Sequence, residues 1–492
     1  MNRLSLKLMN SWATLGPRYL PFADVATPDL PLGRLLRLSL FQVSVGMALV
    51  LLVGTLNRVM IVELDVPASL VGIMLALPLV FAPFRALIGH RSDTHRCALG
   101  WRRVPFIWRG TLLQFGGFAI MPFALLVLAG QGESGMLPVW VGQVSAGLAF
   151  LLVGAGVHTV QTAGLALATD LTPTESHPKV VGLMYVMLLM GMVVSALVFG
   201  AVLVEFSPGR LVQVIQSAAL VTMLLNGVAM WKQETRRSTR GVVPAVQDPT
   251  FRESWLKFCE GDDTIRRLVI VGLGTMAFGM ADILLEPFGG HVLHLSVSAT
   301  TKLTALFAVG GLFGFGLAAK VIGRGADPYV IARNGALIGL PAFALVMLAA
   351  PLQFPILFLA GNFLIGFGGA LFGHGTLTAT MNRAPKAQAG LALGAWGAVQ
   401  ATAAGIGMAM SGAIRDLVDA WRGATAPAGA VADGAYGYMT VYAIEITLLI
   451  ATVLVTLPLI RRAVAKTINT AGSTPAGKVC VNVVDCSDGR VA

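Results

Sequence analysis

The sequence predicts an all-α bundle of twelve membrane-spanning helices arranged as two halves of six, on three observations. The first is composition: 56% of the 492 residues are hydrophobic, only 12% are charged and the mean hydropathy is +0.77. A soluble surface needs about twice that charge, roughly 25%. The second is a recurrence, from Leu35 to Ile460, of apolar runs of about 20 residues, long enough to cross a hydrocarbon core of about 30 Å as helices. These runs are continuous rather than alternating, so the backbone satisfies its own hydrogen bonds as helix and not as a barrel. The third is spacing: six runs, then the longest polar connection, Lys232 to Arg266, then six more.

The predicted spans are 37–62, 68–89, 104–128, 137–168, 179–204, 211–231, 267–292, 299–322, 330–350, 354–380, 387–413 and 436–460. They divide the chain into an N-terminal amphipathic segment (1–36), a first six-helix half (37–231), a linker (232–266), a second half (267–460) and a C-tail (461–492). In the first segment Leu4, Leu8, Trp12 and Leu15 share a helical face, the pattern of a helix lying at the interface, before the Pro-punctuated stretch PRYLPFADVATPDLP. Phe251, Trp255, Phe258 and Cys259 predict a second interfacial helix in the linker. The N-terminus lacks the short apolar core of a cleavable signal, so the first span is expected to act as its own targeting signal.

Lys and Arg placement predicts orientation. Four of the 35 fall in odd-numbered loops (Arg210, Lys302, Arg415, Arg422), two in helices (Arg58, Arg109), and the rest in the tails and even-numbered loops, which places both termini in the cytoplasm. The net charge of +11 is accounted for by topology and anionic lipid and calls for no nucleic-acid partner. Cys97, Cys259, Cys480 and Cys486 all fall on the cytoplasmic side, where thiols stay reduced, and the Cys480–Cys486 spacing is a weak metal signal. There is no phosphate loop, no His-Glu-x-x-His and no nucleophile elbow, so a non-enzymatic protein is expected.

The second and third spans are joined by a dense basic loop, GHRSDTHRCALGWRR. Its Gly89, Asp93, Gly100, Arg102 and Arg103 resemble the major facilitator signature G-x-x-x-D-R-x-G-R-R, with Thr94 in the basic position and extra residues before Gly100. A carboxylate there can accept from a neighbouring helix N-terminus and pair with Arg, making a cytoplasmic latch. The equivalent place in the second half reads Gly316-Leu-Ala-Ala-Lys320, a cation where the acid would stand, so the switch is one-sided. Two six-helix halves and a long linker make the predicted architecture major facilitator-like, with a site between the halves near mid-membrane.

A second resemblance is closer. GTLNRVMIVEL (54–64), FAPFRALIGHRSD (81–93), LGWRRVPFIWRGT (99–111), DILLEPFGG (282–290) and VSATTKLTA (297–305) resemble the PucC/LhaA, or bacteriochlorophyll delivery, family across both halves. The resemblance implies a cytoplasmic-membrane protein of a phototrophic bacterium that assembles light-harvesting antenna, with bacteriochlorophyll a as cargo. The implied partners are antenna polypeptides, with a leaning to the core antenna LH1, together with the reaction centre and bacteriochlorophyll synthase. A proton-coupled secondary transporter of an amphipathic solute and a pigment-free assembly scaffold are the alternatives.

Ionisable residues inside helices are costly unless paired or hydrated, and so are functional candidates. His158 (span 4) and His374 (span 10) occupy equivalent faces under the repeat, within one turn of each other, among Gly154, Gly156, Gly373 and Gly375. Either each ligates pigment magnesium in a central cavity, or each bonds a neighbouring helix while the glycines permit close packing. Asn57, Arg58 and Glu63 at the outer end of span 1 face Asp282 and Glu286 of the matching span 7. Arg58 either pairs across the two-fold as an outer gate or pairs locally with Glu63. His291 and His294 share a face if span 7 is still helical there, as pigment contacts or headgroup-level polar residues. Trp108, with Trp101 and Arg109, is either an interfacial anchor or an aromatic shelf for pigment. Gly310, Gly314, Gly366, Gly369 and Gly373 have helix-contact spacing.

Overall fold

The computed structural model describes residues 31–81, 88, 92, 101–128, 138–173, 177–234, 263–383, 389–425 and 435–472. Within them the chain forms twelve helical rods. In the first half these are α1 (Leu32–Glu63), α2 (Ala68–Ala76, tightening to a 3₁₀ turn over Leu77–Phe81), α3 (Val104–Leu128), α4 (Val139–Asp170), α5 (His177–Val202) and α6 (Pro208–Met230). In the second half they are α7 (Thr264–Ala281, then Leu285–His291), α8 (Val297–Gly323), α9 (Pro328–Leu352), α10 (Pro355–Arg383), α11 (Ala389–Thr425) and α12 (Ala435–Gly472). No strand occurs among the described residues. Ten rods are long and apolar enough to cross a membrane. Of the other two, α2 is described over part of its predicted length and α11 is built largely of Ala and Gly.

Local chemistry starts several rods. Ser207 accepts from Arg210 N (3.2 Å) with Pro208 at the first helical position of α6. Ser296 accepts from Ala299 N (3.2 Å) at the start of α8, and Asp327 from Tyr329 N (2.8 Å) before Pro328 of α9. Each cap satisfies one of the orphan N–H groups of a helix start, and proline costs nothing where no N–H is needed. Successive rods alternate in direction, so the starts of α1 and α7 and the ends of α6 and α12 share one face, here called the terminal face. The opposite, distal face carries Glu63, His291 and the start of α8.

Packing repeats with a period of six helices. α3 lies on α4 as α9 lies on α10, α3 on α6 as α9 on α12, and α1 on α5 as α7 on α11. The same operation exchanges the two seams between the halves, α5 against α8 and α2 against α11. In the first half the rods are also tied by a buried polar chain: Ser44 donates to Asn226 Oδ1 (2.7 Å), and Asn226 Nδ2 donates to Thr111 (3.0 Å). In the second half small residues serve instead. A Cβ on Gly310, Gly314 or Gly366 would strike the carbonyl oxygen of Phe363, Phe367 or Phe307, so the α8 and α10 backbones touch there. Gly373, of the same spacing, faces open space.

The rods outrun the predicted spans at several ends. α1 begins at Leu32 and α12 continues to Gly472. α11 continues to Thr425, so Arg415 and Arg422, expected in a loop, lie on its last turns, and Arg415 pairs with Asp419 one turn on (3.0 Å). A polar last turn remains helical because such i,i+4 pairs support it. The N-terminal amphipathic segment, the linker helix and the C-tail beyond Gly472 lie outside the described residues.

Gly366→Leu is expected to lower the thermal midpoint of the detergent-purified chain, an overpacking penalty of about 1–3 kcal/mol, whereas Gly373→Ala should leave it unchanged. Size-exclusion measurements after heating distinguish the two.

Candidate functional site

The junction of the halves is built from a helix break. Pro287 has no N–H to give to the carbonyl four residues back, and its ring crowds that carbonyl. α7 accordingly breaks over Asp282–Leu284 and resumes at Leu285. The unclaimed carbonyl of Ile283 is taken from the other half: Asn57 Nδ2 of α1 donates to it at 2.8 Å, fully buried. α1 is irregular at the same depth, wound as π-helix over Val50–Leu56 and Val59–Glu63. Irregular backbone at equivalent positions of two repeats is the usual mark of a binding site in transporter folds.

The remaining polar groups gather around this pair. Arg58, 4% exposed, makes its ion pair locally with Glu63, and its other terminal nitrogen donates across the junction to Leu295 O (3.1 Å). Both readings of Arg58 are therefore partly realised: the carboxylate is local and the crossing bond goes to backbone. Glu286 accepts from Thr304 of α8, and its second oxygen has no hydrogen-bond partner. Gly54 permits this approach, since a Cβ there would lie 2.6 Å from Thr304 Oγ1 and 2.9 Å from Glu286 Oε1. Thr55 and Thr301 meet at 3.4 Å across the same seam. Two groups absent from the sequence reading complete the layer: Tyr442 and Glu445 of α12, both fully buried.

On the distal side of this layer, side-chain bonds cross between the halves. Asp416 of α11 accepts from Ser69 N (2.7 Å) and Ala68 N (3.3 Å), capping the start of α2 in the other half, and Ser298 donates to Gly200 O (2.5 Å) between α8 and α5. Arg415 pairs with Asp416 (2.9 Å) and lies over the Tyr438 ring at 5.0 Å. Phe288 fills the space beneath, 5.5–5.6 Å from the rings of Phe358, Tyr438 and Tyr442. His291 ends α7 and its Nδ1 meets Tyr438 OH at 2.9 Å. His294 lies beyond the helix at φ 51° and is exposed, so the shared helical face expected for the two histidines does not form. The glycine pair Gly289–Gly290 is still helical, and the rod stops only past it.

The two intramembrane histidines lie the same number of residues beyond the first residues of α4 and α10, Val139 and Pro355, hence at matching depth. Both are half-buried. His374 has the more open setting: its ring stands edge-on to Phe315 of α8 at 4.5 Å, its buried Nδ1 has no hydrogen-bond partner, and Gly373 beside it faces space. Phe315 in turn stacks on Tyr185 of α5 at 6.4 Å, so His374 is one ring away from the other half. Around His158 the glycines serve packing, with Gly154 against Pro78 and Gly156 against the Gly110 carbonyl. Trp108, near the start of α3, is 41% exposed.

On the terminal face the described end of the basic loop, residues 101–103, is bound within its own half. Arg102 and Arg103 converge on Asp170 at the end of α4, at 2.6 and 3.0 Å. Glu234, just past α6, accepts from the backbone N–H groups of Arg102 (2.7 Å), Arg103 and Val104 (3.0 Å), capping α3 with a carboxylate as the helix dipole favours. Arg103 also donates to Ser92 (2.5 Å). Gly89, Asp93 and Gly100 lie outside the described residues.

Several solved membrane transporters share this fold. A bacterial homologue of the iron transporter ferroportin in an inward-facing state aligns with a TM-score of 0.61 over 87% of this chain and 98% of its own, at 14% identity. An inward-facing bacterial homologue of the lysosomal transporter Spinster gives 0.58 over 86% and 94%, at 15% identity. The chain thus has the major facilitator fold. A family model described as "PUCC protein" matches residues 55–464, and the chain belongs to that family. It is 62% identical to "Protein PucC" of Rhodovulum sulfidophilum, over 87% of this chain and 95% of that one, and 58% identical to "Protein PucC" of Rhodobacter capsulatus, over 92% and 98%. It is 28% identical, over 78% and 88%, to a protein of Rhodobacter capsulatus named "Bacteriochlorophyll synthase 44.5 kDa chain".

Asp416→Ala removes the cap that joins α11 to α2. It should speed labelling of a Val297→Cys reporter by a membrane-impermeant maleimide applied from the distal side, several-fold over the reporter alone. An unchanged rate would mean that the other crossing bonds hold the closure.

Proposed function

We propose that the protein is a non-enzymatic assembly factor for bacterial light-harvesting antenna, which binds bacteriochlorophyll at the junction of its halves and passes it to antenna polypeptides. Family membership supports the antenna setting, and the name of the distant relative supports the pigment. The observation that carries the binding site is His374: an imidazole with an unpartnered buried nitrogen, an aromatic edge at 4.5 Å and open space at the neighbouring glycine. Neutral imidazole is a ready metal ligand, able to take the fifth position on pigment magnesium, while Phe315 and Tyr185 offer faces to a flat ring.

The terminal face is the cytoplasmic one in this reading, since Arg34, Arg102, Arg103, Arg267, Lys320 and Arg324 lie there. Among the described residues the side-chain bonds that cross between the halves lie at the helix break and on its distal side, which supports a route for cargo from the cytoplasmic half or sideways between α5 and α8. A pigment with a lipid-like tail stays within the bilayer and does not need to be carried across it. The membrane is then the photosynthetic membrane of a phototrophic bacterium. The reaction centre and bacteriochlorophyll synthase are further partners in this reading.

The protein purified in mild detergent from pigment-making cells is expected to carry a bacteriochlorophyll absorption band and to bring antenna polypeptides with it. The identity of those polypeptides decides between core and peripheral antenna. His374→Ala should lower pigment per protein several-fold at unchanged yield. Antenna capture by a colourless wild-type protein would make it a scaffold, and absence of both pigment and partners would reject the proposal.

A further inference from the structure

Trp396 lies near the start of α11, and its half-buried indole is fixed to α10. Nε1 donates to Thr376 Oγ1 (3.3 Å), and the Thr376 hydroxyl donates in turn to the Phe372 carbonyl (2.9 Å). An indole N–H inside an apolar bundle needs such a partner, and the bond gives the ring a set place. The space beside it is open. A Cβ on Gly373, or on Gly397 next to Trp396, would meet nothing within 4 Å. Both glycines turn inward. On α11, Ile406 is exposed, and it lies about two and a half turns beyond Gly397, hence on the opposite face. On α10, Gly369 lies one turn before Gly373, and a Cβ there would stand 3.6 Å from Phe278 of α7. His374 follows Gly373 directly, with Phe315 at 4.5 Å. The open space therefore has aromatic groups on two sides: the indole held at Thr376, and the imidazole backed by Phe315.

We propose that Trp396 is a further pigment-binding residue, the second aromatic wall of the space at Gly373 and Gly397. This rests on the pigment reading above and adds to it a contact that does not involve the metal. His374 supplies a ligand to magnesium, whereas the indole supplies a flat apolar face to the conjugated ring. Because Thr376 already holds the indole in place, little side-chain freedom is lost when a ring settles on it. The glycines supply the room, since neither adds a side chain to the space. The chemistry selects a flat, extended ring over an acyclic lipid, which gains nothing particular from an aromatic wall.

The test uses the full chain, produced in a host that makes no bacteriochlorophyll, purified in mild detergent and titrated with bacteriochlorophyll a. Absorption and circular dichroism of the pigment band report binding and ring environment. Trp396→Leu should weaken binding several-fold and move the bound band. Trp396→Phe keeps an aromatic face without the bond to Thr376, and should bind nearly as the wild type does. Gly397→Leu fills the open space without altering the indole and should also weaken binding several-fold, while Gly316→Leu, at an exposed glycine with equal room, should not. Wild-type affinity in Trp396→Leu or Gly397→Leu overturns the proposal and leaves the pigment reading standing. Equal losses in Trp396→Leu and Trp396→Phe overturn it too, since the indole would then be only a pin between α10 and α11. If the Trp396 variants elute as aggregates, Gly397→Leu decides alone. A wild type that binds no pigment removes the pigment reading and this proposal together.

Discussion

The bond from Asn57 to the Ile283 carbonyl is the constraint on which the junction depends. It exists because Pro287 cannot serve that carbonyl within α7, and because a carbonyl left bare inside a membrane is expensive. One proline thus opens the first helix of the second half, and the first helix of the other half closes the gap. Gly54 brings α1 close enough for Glu286 and Thr304, Arg58 reaches the Leu295 carbonyl, and the aromatic group around Phe288 packs against the resumed turn. Removing the proline would restore the helix and leave Asn57 with nothing to bind.

The two faces of the molecule are built differently. On the distal face the side-chain bonds cross between the halves, from Asp416 to the start of α2 and from Ser298 to the end of α5. On the terminal face the described ion pairs each stay within one half, Arg102 and Arg103 with Asp170 in the first and Arg266 with Asp263 at the start of α7, while Glu234 caps the start of α3. Arg102 and Arg103 at the end of the basic loop therefore brace helices of their own half. Among the described residues, the side-chain bonds that join the halves lie at the helix break and on its distal side.

Chemically the interior has two levels. The distal level holds carboxyls, hydroxyls and an arginine, groups suited to charge and protons. The level below holds the two histidines with phenyl and phenol rings, groups suited to a flat, metal-bearing apolar molecule. Both levels lie along α8 and α10, whose backbones touch at Gly310, Gly314 and Gly366.

The sequence by itself determined the all-α class, the two halves of six and the family, because long apolar runs, their count and local motifs are written one after another along the chain. It also singled out Asn57, Arg58, Glu63, Asp282 and Glu286, since ionisable residues stand out in apolar runs. Glu445 carries the same signal, a lone acid in span 12. Only the tertiary structure decided partners: that Arg58 pairs with Glu63 and not Glu286, that His294 leaves the helix, that Asp416 caps a helix of the other half, and that Phe315 lies beside His374. These depend on which residues from distant parts of the chain reach the same depth and face. That is set by helix packing, by small-residue contacts and by one proline break, none of which has a local periodicity to read.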